Sequence, residues 1–486
     1  MITKINAAAI LILILGICAI FYIQFATPTI YGADGYLHIR MAEFLKSFGP
    51  RYDFHWARFS TFSENFSDKD FLYHVFLIPF TLFRNIFFGA KLAAAIFASG
   101  LFLAFYLLLK RYSDKSVLPF FLIAFFLSDM FLETISRPRP ISIVILITIF
   151  SVHLMIQKKY LSVFVTALFY SLSHVTSPLI ILYALIVEIV RRTDKKEFHI
   201  KTILAAFSGV LAGFIIHPNF PNNFIVFYLN SVLVPIYTVK TGILELGAEF
   251  FPINTREFLL SYPVIIIGII SVIYIAISKR PKAGFATNVF LTLSAFFFLL
   301  SFICRRYLSH GYLIMLMALC SYFSDYCAGI KDINKKGIIF VSILLILLGF
   351  NSFNKVCYNA LVQKVINTHY EQAGKWMEKN IPAGELIFHA NWSDSQYFIG
   401  LNPKNDYFVT LDPVYMYKRD SELYKLYRDV SFGRTTDPYT VLKDNFKVKY
   451  GYAGKNYFNG LIEQIRKDTR FRILAEDSFG VIFSLP

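Results

Sequence analysis

Apolar runs recur along the chain near residues 5–25, 89–109, 117–134, 141–157, 160–173, 176–190, 202–217, 259–278, 286–303, 311–328 and 337–351. Several approach or exceed the roughly 18–20 residues that a helix needs to cross a bilayer. They predict about eleven transmembrane helices. The fifth and sixth are short and are split at Ser173–Pro178; Phe71–Phe88 reads as an interfacial or re-entrant helix.

The polar positions between the runs set the orientation. With the N-terminus in the cytoplasm, the inner loops hold Lys110, Arg111 and Lys115; Lys158 and Lys159; Arg191, Arg192, Lys195 and Lys196; Lys279, Arg280 and Lys282; and Lys331, Lys335 and Lys336. Every alternate loop is then basic, as the positive-inside rule requires. Counting Phe71–Phe88 as a span would put all later clusters outside. The expectation is a multi-pass protein of the plasma (inner) membrane with an extracytoplasmic C-terminal region.

From about Asn351 the pattern changes. Thr368–Glu371 reads as a capping box that opens a helix carrying Trp376 and Met377. Short strands are predicted at Glu385–His389, Tyr407–Leu411, Lys447–Tyr450, Arg472–Ala475 and Val481–Phe483, with helices at Ser421–Val430, Pro438–Asn445 and Tyr457–Lys467. The fold class expected is therefore an α-helical polytopic membrane domain over 1–350, with a long first external loop at 27–71, followed by a small extracytoplasmic α/β domain over 351–486.

Composition supports this reading. Apolar residues make up 56% of the chain and charged residues only 16%, against about 25% charged in soluble domains. Mean hydropathy is +0.53. The net charge of +16 belongs to the topology-setting loops, so no nucleic-acid partner is implied. The five cysteines show no C-x-x-C pair and no His/Cys ligand spacing, which argues against a zinc site or a disulfide framework.

Candidate chemistry gathers at the expected external ends of the spans. Tyr31–Phe44 follows the first run; if it is helical after Gly35, Asp34 and His38 lie one turn apart on one face, with Arg40 and Glu43 on a neighbouring face. Asp129 and Glu133 stand four apart near the end of the third run, and ionisable groups in a span are functional candidates by default. Arg137 and Arg139 follow between two prolines, and Arg305 and Arg306 leave the ninth run just before His310. Four guanidinium groups in short outer turns break the inside-positive pattern. They suit a lipid phosphate or pyrophosphate, or else snorkel to lipid headgroups.

On these residues the chain resembles the GT-C glycosyltransferases, polytopic enzymes that use polyprenyl-phosphate-linked sugars. Tyr31-Gly-Ala-Asp-Gly-Tyr36 followed by Arg40-Met-Ala-Glu-Phe44 is similar to the start of the first external loop of oligosaccharyltransferase catalytic subunits. His389–Asp394, Leu411–Tyr417 and Gly433–Pro438 resemble the tail of bacterial GT-C proteins. The resemblance implies an external transferase that moves a sugar or glycan from a polyprenyl-phosphate or -pyrophosphate donor to a glycan, lipid or protein acceptor, amid membrane lipids. It implies a role in acceptor activation or metal binding for Asp34, beside which His38, Asp129 and Glu133 are the further catalytic candidates. Arg40, Arg137, Arg139, Arg305, Arg306, His310, Trp392 and Asp394 become the substrate and lipid-phosphate set, and a divalent ion (Mg or Mn) would sit on Asp34, Asp129 and Glu133. Two departures count against protein N-glycosylation: Asn391-Trp-Ser-Asp-Ser395 only partly echoes the W-W-D-Y-G motif, and Arg137-Pro-Arg-Pro140 stands where a paired acidic motif belongs. The alternative is a lipid or glycan transporter or flippase, which would show inverted repeats and Gly/Pro-broken helices.

Overall fold

The computed structural model describes residues 2–114, 116–240, 244–279, 283–327, 335–455 and 457–486. Lys115, Arg280, Lys282 and Lys331, four of the basic loop residues, lie outside them.

Each apolar run carries helix, but the count of eleven spans is not confirmed. Among the described residues, three helices are long and apolar enough to cross a membrane: Ala7–Phe25, Ile86–Tyr112 and Ile339–Asn380. Two bent pairs raise this to five if each pair is one span. The expected third span is two helices, Leu118–Ala124 and Asp129–Ser136, meeting at 71°. There Ser128 is extended (φ −110°) and its side chain accepts a hydrogen bond from the Phe131 amide, so a new helix begins. The other pair, Thr255–Ser261 and Pro263–Tyr274, meets at 85°. Pro263 lacks an amide proton and bars Tyr262 from helical geometry.

One helix expectation is corrected. Thr368 does not open a helix; it lies inside a continuous 46-residue helix, Lys335–Asn380. Its hydroxyl turns back to donate to the carbonyl of Lys364 at 2.8 Å, a mid-helix habit of threonine that competes with capping.

The described chain forms two compact units, each assembled from three stretches. The first takes Met1–Ala26, Leu92–Ile216 and Gly247–Leu361; the second takes Thr27–Lys91, His217–Leu246 and Val362–Pro486. In the first, helices Tyr160–Ser173 and Ile200–Ile216 pack closely because Gly209 and Gly213 present no side chain: a Cβ on Gly209 would stand 2.3 Å from the Phe164 carbonyl.

The second unit is built on a five-stranded mixed sheet: β1 (Leu386–His389), β2 (Asp406–Tyr407), β3 (Tyr450–Gly454), β4 (Arg472–Glu476) and β5 (Gly480–Ser484), ordered β2-β1-β3-β5-β4. β1 runs parallel to β2 and β3, and the other pairings are antiparallel. Strands β1, β4 and β5 match their predicted segments to within a residue, whereas β2 and β3 share only Tyr407 and Tyr450 with theirs: β2 ends at Tyr407, and β3 starts at Tyr450 and runs on to Gly454. Leu411 takes a left-handed φ of 67° and turns the chain there. Ile387, Phe388, Phe408, Val481 and Phe483 are buried and form its core.

The first loop is part of this unit. Ala57 pairs in parallel with Tyr407, and the amides of Arg58 and Tyr407 donate to the carbonyls of Tyr407 and Trp56, each at 2.8 Å. Trp56 stacks on Phe44 at 4.0 Å, so ring packing helps to order this loop. Helix Asp34–Phe48 lies against helix Asp394–Leu401 at Gly400, where a Cβ would sit 2.7 Å from the Tyr36 carbonyl. Gly400→Ala should therefore force backbone apart and destabilise the protein by about 1–3 kcal/mol. An apparent Tm in detergent equal to that of the native chain would show that the two helices yield without loss.

Candidate functional site

The sequence-predicted residues divide between the two units. In the first unit, helix Asp129–Ser136 carries both acids. Asp129 is buried; one carboxylate oxygen is paired with Lys355 and the other has no hydrogen-bond partner among the described residues. Glu133 is paired with Arg137 through one oxygen and accepts from Asn359 Nδ2 at 3.4 Å through the other.

The remaining arginines meet carboxylates of the stretch Gly247–Glu257. Arg139 lies 3.1 Å from Glu249 Oε2, and Arg306 pairs with Oε1 of the same carboxylate. Arg306 also lies over the Phe250 ring at 4.5 Å, and Arg305 pairs with Glu257 at 2.8 Å. Backbone contacts hold the stretch in place: the Arg305 amide donates to the Phe251 carbonyl at 2.9 Å and Arg305 Nε to the Ala248 carbonyl at 2.7 Å. Partial burial tends to raise the Glu249 carboxyl, but the guanidinium groups of Arg306, Arg139 and Arg137 outweigh it and hold the group well below the usual carboxylate range. One carboxylate thus occupies a position that two guanidinium groups address together, which is an anion seat. His310 is buried beside Tyr307, with Nε2 lacking a hydrogen-bond partner among the described residues.

In the second unit, Asp34 opens helix Asp34–Phe48, where the helix dipole favours a carboxylate. His38, one turn on, is buried and hydrogen-bonded to His74, which in turn meets Asp68. Arg40 points elsewhere: it pairs with Glu43, and its Nε and Nη2 donate to the Gly400 carbonyl at 2.9 and 2.7 Å. In this geometry Arg40 fastens one helix to another.

Trp392 is half-buried, while Asp394 is 1% exposed. Tyr370 donates to Asp394 Oδ1 at 2.6 Å and stacks on Tyr397 at 4.0 Å; Oδ2 has no partner among the described residues. Burial raises the Asp394 carboxyl to about 7, against the lowering effect of the Tyr370 hydroxyl and an Asn391 backbone contact. A raised acid stabilises the folded state below its unfolded value, near 3.9, and loses that contribution as pH climbs through about 7. Asp394→Asn should therefore gain apparent Tm relative to the native chain between pH 5 and pH 8. The gain is bounded by about 4 kcal/mol, the free energy of moving the carboxyl that far. A difference independent of pH would show that Asp394 is ionised and solvated.

Sequence reasoning missed Lys355, Glu249 and the Asp68–His74 pair. Only His74 carried a local signal, as a histidine in the otherwise apolar helix Phe71–Leu77. Among the described residues no group of three or more His, Cys, Asp or Glu side chains is gathered to hold a metal ion. Glu133 has both oxygens engaged, so the donor set expected for Mg or Mn is not assembled there.

No protein-family model and no curated protein matches the sequence. Solved structures do. The oligosaccharyltransferase of Archaeoglobus fulgidus, tethered to an acceptor peptide containing the NVT sequon, superposes with a TM-score of 0.63 at 12% identity, covering 97% of this chain and 74% of that one. ArnT from Cupriavidus metallidurans bound to undecaprenyl phosphate gives 0.60 at 10% identity, covering 98% of both chains. The mycobacterial arabinofuranosyltransferase AftD gives 0.52 at 12% identity, over 99% of this chain and 40% of that one. The chain therefore has a GT-C-like fold, helical with a small C-terminal sheet.

Proposed function

We propose that the protein is a membrane glycosyltransferase that takes a sugar or glycan from a polyprenyl-phosphate or -pyrophosphate donor and transfers it to an acceptor on the external face of the plasma membrane. The observation that carries this reading is the end-to-end likeness to ArnT bound to undecaprenyl phosphate, in a chain whose first helix is followed by the helix that Asp34 opens.

The chemistry assigned to each cluster follows from its own groups. Asp34, an acid at a helix N-terminus, takes the proton of the acceptor hydroxyl as its oxygen attacks the anomeric carbon. The bond from that carbon to the donor phosphate oxygen breaks, and the polyprenyl phosphate leaves with the electron pair. Arg139 and Arg306, with Arg137 and Arg305 nearby in sequence, stabilise the charge that develops on that phosphate. A glycan, lipid or cell-surface polymer fits better as acceptor than a protein sequon, because the sequon-reading motif is only partly present.

The two bent helix pairs favour a second reading, a lipid or glycan transporter. Incubating purified protein in detergent with radiolabelled polyprenyl-phosphate sugars and a membrane extract separates the two. Incorporation of label into the extract establishes transfer. Inertness toward every donor, with lipid movement in reconstituted vesicles, establishes transport.

A further inference from the structure

The segment that carries Asp34 has little of its own to fix its position. Between Ile30 and Tyr36 stand two glycines, and Gly32 takes a left-handed φ of 90°. Ala33 occupies the N-cap of helix Asp34–Phe48 and has no side-chain oxygen to hold the first turn. The ties come instead from residues far along the chain, all within the second unit.

Two side chains supply them, Asn367 and Glu371, one turn apart on helix Lys335–Asn380. Asn367 Nδ2 donates to the Ile30 carbonyl at 2.5 Å, on the N-terminal side of Asp34. The Tyr36 hydroxyl, on the other side, donates to Glu371 Oε1 at 2.6 Å. Asn367 is fully buried and is itself held: its Oδ1 accepts from the Tyr397 hydroxyl at 2.7 Å and from Gln363 Nε2 at 3.0 Å. A buried amide with donor and acceptor both engaged is costly to disturb, so the Ile30 carbonyl is a fixed point. The Tyr36 ring is fully buried too, its centroid 5.1 Å from that of Phe87 and 5.2 Å from that of Tyr397. Asp34, half-buried, therefore sits on a short stretch of chain pinned at both ends.

We infer that Asn367 and Glu371 are positioning residues that hold the Asp34 carboxylate in place for proton transfer. The inference rests on the transferase reading above. A general base works only within hydrogen-bond reach of the proton it takes, and a shift of about 1 Å can cost about 10²-fold in rate. A glycine-rich turn left to itself would permit such a shift. The two ties remove that freedom.

Hydrogen exchange read by mass spectrometry, on purified protein in detergent, reports the pinning directly. Peptides covering 30–44 should exchange faster in Tyr36→Phe and Glu371→Leu than in the native chain, while those from β5 stay unchanged. In the transfer assay both variants should lower kcat at least about 30-fold, with donor KM within about threefold. Asn367→Asp, which keeps an acceptor oxygen and loses the donor to Ile30, should behave like them. Glu371→Gln still accepts from the Tyr36 hydroxyl and should return to within about threefold of native kcat. In an Asp34→Asn background Tyr36→Phe should cost almost nothing further, because the group being positioned is gone. Native-like kcat in Tyr36→Phe and Glu371→Leu, or unchanged exchange over 30–44, would overturn this inference and leave the transferase reading intact. So would an equal loss with and without Asp34, the mark of a purely structural tie. A native protein inert toward every donor ends the transferase reading, and the positioning role falls with it even where exchange over 30–44 responds.

Discussion

Asp34→Asn should lower the turnover of glycosyl transfer by about 10²–10⁴-fold, the usual contribution of a positioned general base. The substitution keeps the size of the side chain and its capacity to accept a hydrogen bond, so the first turn of helix Asp34–Phe48 persists. Packing at Tyr36 and Leu37, both fully buried, is untouched. What disappears is the ability to hold a proton. Donor KM should change little, because the phosphate is assigned to other groups. Asp34→Glu retains the charge but moves it by a methylene, and it should fall between the two. The comparison is a transfer assay with apparent Tm recorded alongside. Full activity in Asp34→Asn removes this residue from the reaction.

Arg306→Gln and Glu249→Gln should move donor affinity in opposite directions. Arg306 and Arg139 share the Glu249 carboxylate, so an incoming phosphate competes with that carboxylate for the same guanidinium groups. Losing one charge-assisted partner is worth about 1.5–3 kcal/mol, so Arg306→Gln should raise donor KM about 10–100-fold. Glu249→Gln removes the competitor. Donor KM should fall several-fold, while apparent Tm drops because two cations are left facing each other. A purely structural ion pair predicts something else: both variants lose stability and neither changes KM. Titrating undecaprenyl phosphate against each purified variant reads the sign directly.

How legible the molecule was depends on whether a feature is local. Strands β1, β4 and β5 were readable because β-branched and aromatic residues cluster between Gly, Asn and Asp turns, and helices Ser421–Ser431 and Asn459–Lys467 were readable from their amphipathic period. Helix Asp394–Leu401 escaped, its residues all buried and so without a polar face. The run ending near residue 351 was cut short by Asn351, Ser352, Asn354 and Lys355. Polar side chains end an apolar stretch without ending a helix, and no Pro or Gly follows until Gly374. The sites divide the same way. Asp34 and the arginines were visible as charges in unexpected places. Glu249, Lys355 and the Asp68–His74–His38 chain become meaningful only through partners distant in sequence, and no spacing rule reaches them.

The pairing of the first loop with the sheet edge also bears on how the protein is made. His55 and Asp406 hydrogen-bond across 351 positions of sequence, and Ala57 finds its strand partner at Tyr407. At synthesis rates of about 5–20 residues per second, the loop waits roughly 20–70 s for that partner to emerge from the ribosome. Throughout this interval Trp56, Phe54 and the helix bearing Asp34 lack their C-terminal scaffold. A nascent chain released early therefore has this loop and helix without the C-terminal segment they pack on, so folding of this unit waits for the end of synthesis.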